Sequence, residues 1–209
     1  MGFFVFGNLL PKIYPILQKF PNICIAYYKT INCFLQNVIS SESSSLFSGD
    51  VMNHIIYTLR IGLTSFTYPD IQSQCLELLS GIGQGIIDCD DDSKNQQCRI
   101  AIVEPFIQLL FDIIVTLDLH SENKSDCFNA IYSLSNTLFP RDQNVFHSTL
   151  NMLLIEKQQK IGSASSYLLQ TPEVEELKKF HFEDRRDQKK KFYDLFDKFI
   201  SSISFLYHN

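Results

Sequence analysis

The stretch from Asp50 to Gly85, DVMNHIIYTLRIGLTSFTYPDIQSQCLELLSGIGQG, spells out one complete structural unit: a helix, a tight turn and a second helix. Val51, Ile55, Leu59 and Leu63 recur every four residues, with Met52 and Ile56 beside them, which makes one apolar face at the helical period. Asp50 follows Gly49 and can cap the first N–H groups. In the second half Ile71, Cys75, Leu78, Leu79 and Ile82 share a face. Thr67 serves as a cap, and Pro69 sits in the first turn, where its missing N–H is an orphan anyway. Gly81, Gly83 and Gly85 are expected to weaken and end this helix. Two helices joined by so few residues pack antiparallel, and neither covers the other's apolar face completely. Each such pair therefore needs a neighbour on either side.

Working outward, 209 residues hold one sizeable core or a stack of small units sharing one. Hydrophobic residues make up 45%, 18 are Phe and only 8 are Gly, which marks a folded apolar chain. The net charge of −5 argues against a general nucleic-acid binder, which must neutralise phosphates with clustered Lys and Arg. Basic or neutral partners fit better. Cys24, Cys33, Cys75, Cys89, Cys98 and Cys127 contain no C-x-x-C pair and read as reduced, mostly core residues of a cytosolic or nuclear protein. The opening MGFFVFGNLLPK lacks a basic n-region and a cleavage site, and its apolar run is too short to span a bilayer. Phe6 breaks the myristoylation pattern. The texture of this opening is that of the middle of a helical protein.

Residues 8–20, interrupted by Pro11 and Pro15, are expected to form a helix end or a loop docked on the stack. Pro21 opens a long helix to about Ser40, with Ile23, Ala26, Tyr27, Ile31, Phe34, Leu35 and Val38 as its apolar stripe. A Ser-rich loop follows, then the central pair, then an acidic loop from Asp88 to Gln97. From about Arg99 to Leu117 runs a helix apolar nearly all round, which starts or bends at Pro105. Ser121 or Ser125 caps the next, carrying Cys127, Ala130, Ile131, Leu134 and Leu138, and Pro140 stops it. Val145, Phe146, Leu150 and Leu153 mark its partner, Asp142 to Lys157. A looser piece follows at 162–170, and Phe192, Leu195, Phe196, Phe199, Ile203 and Leu206 stripe the closing helix, Asp187 to Tyr207. Helices opening a unit begin near Pro21, Pro69 and Ser121, a spacing of about fifty residues, slightly above the armadillo and HEAT period. With no strand signal, the expected fold is all-α. It is an α-solenoid of antiparallel HEAT/armadillo-type pairs, with a docked segment at 1–20, repeats over 21–170, and a charged linker and capping helix over 171–209.

Chemical motifs are weak. The run Asp88, Cys89, Asp90, Asp91, Asp92, Ser93 invites comparison with a calcium loop, but Ser93 stands where such a loop needs Gly and Arg99 where it needs a bidentate Glu. It reads as a solvated inter-helix loop, with Asp88, Asp90, Asp91 and Asp92 as an acidic surface for a basic partner. Gly81 to Gly85 closes a helix, whereas a phosphate loop opens one. His54, His120, His147, His181 and His208 never pair at ligand spacing, so no metal or cofactor is expected. No Ser, Cys or Thr stands in a nucleophile context, and the chain is not expected to be an enzyme. The run Glu173 to Lys191 mixes both charges, pairs Glu175 with Lys179 on a helix face, and reads as a solvated surface.

Four strings, FPNICIAYYKTINCFLQ from Phe20, the central Asp50 to Gly85 pair, CFNAIYSL from Cys127 and DQKKKFYDLFDKFISSISFLYHN from Asp187, together resemble a known family in this order and spacing. They resemble the C-terminal end of the exportin-four subfamily of importin-β-like nuclear transport receptors. The resemblance runs from about Phe20 to the end and includes no catalytic signature. It implies a HEAT-repeat receptor that shuttles between nucleus and cytoplasm through nuclear pore proteins. Such a receptor loads protein cargo together with the GTP-bound GTPase Ran and releases it on hydrolysis. The hypusine-bearing translation factor five-A is a cargo associated with the subfamily. Family members are several times longer and carry their principal Ran-binding repeats near the N-terminus. The chain therefore resembles only their C-terminal repeats, as a fragment, a truncated gene product or a diverged short relative would.

Overall fold

The computed structural model describes residues 12, 16, 19–39, 50–64, 68–87, 102–116, 119–137, 144–161, 171–182 and 185–207. Among them there is no strand; the protein is all-α. The helices are α1 (Pro21–Ile39), α2 (Asp50–Thr64), α3 (Pro69–Ile87), α4 (Glu104–Thr116), α5 (Lys124–Asn136), α6 (Asn144–Ile161), α7 (Pro172–Lys178) and α8 (Arg186–Tyr207). Their apolar positions follow the 3.6-residue period, and the proline that opens α1, α3 and α7 occupies a turn whose N–H groups lack intrahelical partners. Pro105 lies in the first turn of α4, into which Ile102 and Val103 lead through a wider π-type turn; residues 88–101 lie outside the described ones.

The central pair forms as expected. Gln72 Nε2 donates to the Leu63 carbonyl at 3.0 Å, and Gly62 lies against Cys75, so α2 and α3 run antiparallel from their short connection. At Gly62 a Cβ would collide with the Cys75 sulfur and the Tyr28 phenol, so α1, α2 and α3 meet at a point that only glycine permits. Tyr28 Oη there donates to the Thr58 carbonyl at 2.6 Å.

The three glycines of α3 do not end it; the helix runs on to Ile87. Gly83 instead permits contact with α5. A Cβ there would stand 2.8 Å from the Ser133 carbonyl carbon and 2.9 Å from its oxygen. The cost of glycine in a helix interior, about 1 kcal/mol, is offset by this backbone approach.

At the other end of α3, Ser73 Oγ donates to Asp126 at 3.0 Å and Asn123 Nδ2 donates to the Pro69 carbonyl at 2.8 Å. The early residues of α3 thus meet the early residues of α5, and Gly83 meets Ser133 further along both. The two helices run parallel, at a sequence offset of about fifty, the spacing at which helical pairs recur in the sequence. α3 packs most extensively on α5 and next on α1, and so lies between them.

Two side-chain placements differ from expectation. Among the described side chains of α1 the buried ones are Cys24, Tyr27, Tyr28, Ile31 and Asn32, while Ile23 is 51% exposed and Ala26 is exposed. The face that wins buries two tyrosines, and each phenol finds a polar partner, Thr58 or His54. Tyr27 and Ile31 of the expected stripe are inside, while Ile23 and Ala26 give way to Cys24 and Tyr28. Neither serine caps α5. Asn123 occupies the cap position and makes no side-chain cap bond, because its amide donates to Pro69 and Gln72.

The C-terminal end is held by aromatic rings. Phe111 and Phe128 from α4 and α5 meet Phe196 of α8 with centroids 5.3 and 5.0 Å away, and Phe146 of α6 meets Phe182 at 4.9 Å. Most of these pairs are edge-on or tilted, the geometry the ring quadrupole favours, and each buried ring contributes roughly 1.5–3 kcal/mol through the apolar area it hides. The run Glu173 to Lys191 is accordingly not only a solvated surface. Val174, Leu177, Phe180 and Phe182 within it are buried, α7 opens on Thr171, which accepts from the Val174 amide, and Glu175 pairs with Lys178 rather than Lys179. Pro140, the 162–170 piece and the side chains of Ile203 and Leu206 lie outside the described residues.

Candidate functional site

The acidic loop read as a partner surface, Asp88, Asp90, Asp91 and Asp92, lies outside the described residues. What the described residues offer instead is an open groove of about 420 Å³ between α7 and α8. Asp187, Lys190, Lys191, Asp194 and Lys198 recur at helical spacing along one side of α8, and Pro172, Glu173 and Glu176 of α7 form the opposite wall. The rings beneath hold the walls in place: Phe180 packs on Phe192 at 5.5 Å, and Val174 and Leu177 are buried under the same helix. Lys191 reaches Glu176 across the groove at 3.9 Å, an exposed pair worth about 0–1 kcal/mol.

Four carboxylates and three ammonium groups alternate here, with Leu195 at the floor. No hydroxyl, thiol or imidazole lines it. The spacing of the α8 residues is legible in the sequence; that α7 would stand opposite was hidden in the charge run.

A second polar cluster sits at the α1–α2 contact. Tyr27 Oη and His54 Nε2 are 2.7 Å apart, and burial lowers the imidazole pKa below its ordinary value. In the neutral Nδ1–H form the ring Nε2 accepts a hydrogen bond from the phenol O–H, joining α1 to α2. A third joins α2, α3 and the turn before α5. Gln72, fully buried, accepts from the His120 amide and from Asn123 Nδ2, both at 3.1 Å, while donating to Leu63.

The thiols are equally structural. Cys24, Cys75 and Cys127 are free and buried, as the reduced-core reading expected, whereas Cys33 is exposed; Cys89 and Cys98 lie outside the described residues. Burial pushes all three buried thiols up, and for Cys75 the Tyr28 hydrogen bond opposes this without reversing it. A buried thiol held protonated is a poor nucleophile. Burial, then Asp126 and Tyr132, raise the Tyr193 phenol to about 12. Among the described residues no cluster of three or more His, Cys, Asp or Glu could hold a metal ion, and no helix is long and apolar enough to cross a membrane. No family model matches the chain, and no solved structure matches it.

Proposed function

We propose that the chain is a segment of an α-solenoid of HEAT-type helical pairs that acts by binding protein partners, as the C-terminal repeats of an exportin-like nuclear export receptor. The observation that supports the repeat reading is the parallel stacking of α3 on α5 at an offset of about fifty residues. Successive units of a solenoid place corresponding helices side by side in this way, each touching its neighbours. The transport reading rests on the order and spacing of the four strings that resemble the exportin-four subfamily. In that reading the receptor binds cargo, such as translation factor five-A, together with Ran-GTP, and each ligand tightens the other by the reciprocity of linked binding. It shuttles between nucleus and cytoplasm, contacts nuclear pore proteins, and catalyses nothing itself.

The mixed-charge groove between α7 and α8 favours one rival, a general HEAT-type scaffold, because such a surface serves protein docking without reference to Ran. The test is capture of translation factor five-A by the cellular polypeptide that carries this sequence, immobilised through an antibody to Asp187–Asn209, with Ran locked in its GTP or GDP form. Capture that strengthens at least several-fold with Ran-GTP supports the export reading; binding indifferent to Ran supports the scaffold.

A further inference from the structure

We draw no further inference here: the strongest candidate, the exposed apolar ridge of Ile16, Phe20 and Ile23 running into the N-terminal end of α1, carries nothing because nothing in the structure shows what covers it.

Discussion

Replacing Gln72 with leucine tests whether the junction of α2, α3 and α5 is held by its buried amide. Leucine has a similar volume, so the packing contribution is largely preserved and the polar one is removed. The change strips the Leu63 carbonyl of its Gln72 donor and the His120 amide of its Gln72 acceptor, while Asn123 keeps its bond to the Pro69 carbonyl at 2.8 Å. Leaving the buried Leu63 acceptor without this donor costs about 1–3 kcal/mol, and the half-buried His120 amide adds less. Against a domain stability of roughly 5–15 kcal/mol, that is a large fraction. Urea titration followed by far-ultraviolet circular dichroism should show the midpoint falling with the slope unchanged. Gln72→Leu combined with Asn123→Leu should cost less than the sum of the single changes, with a coupling of about 0.5–3 kcal/mol, because the two side chains share a bond at 3.1 Å. A loss below about 1 kcal/mol, or strict additivity, would refute the view that this amide fastens three elements together.

Gly83→Ala should destabilise by roughly 1–3 kcal/mol although alanine is the better helix former, because the new methyl meets the Ser133 backbone; a more stable variant in the same titration would show that α5 can step back. Phe182→Ala removes a ring that touches Tyr132, Phe146, Phe180 and Phe192, and should cost about 3–5 kcal/mol while increasing protease cleavage near residues 171–182; unchanged cleavage would mean that α7 is held by other contacts. The imidazole of His54 has a folded pKa below its unfolded value of about 6.5, so its neutral form adds stability present above that pH and lost as pH falls through the folded value. Urea midpoints measured between pH 7.5 and 5 should therefore fall more steeply for the native chain than for His54→Gln, and parallel curves would contradict the assignment.

Helix positions were legible because the apolar period survives without tertiary information, and the beginnings at Pro21 and Pro69 were legible because proline there needs no partner. The errors share a cause. Gly83 was read by the local rule that glycine ends helices, but its role depends on Ser133, fifty residues away in sequence. Ile23 looked like core by its spacing beside Tyr27, and only the Thr58 carbonyl on α2 shows why Tyr28 goes inside instead. Phe180 and Phe182 were masked by dense surrounding charge, although an apolar residue within such a run signals burial when aromatic partners exist elsewhere. Gln72 carries no sequence signal at all, because a buried glutamine is distinguished only by what it bonds. Of the groove, the charged stripe on α8 was readable, and its opposing wall was not.

The two regions of the core are fastened by different physics, and this bears on which substitutions each tolerates. The seam of α3 on α5 is registered by directional bonds at one end, from Gln72, Ser73 and Asn123, and by a backbone approach at the other, at Gly83. Both depend on distances within a few tenths of an ångström, so the register cannot slide by one turn without breaking every contact at once. The seat of α8 relies mostly on buried ring area, with a smaller contribution from edge-on ring geometry, and so tolerates modest apolar exchange better than the seam does. Exchanges such as Phe199→Leu should therefore be absorbed at the α8 seat for under about 1.5 kcal/mol, whereas equally small changes along the α3–α5 seam should not.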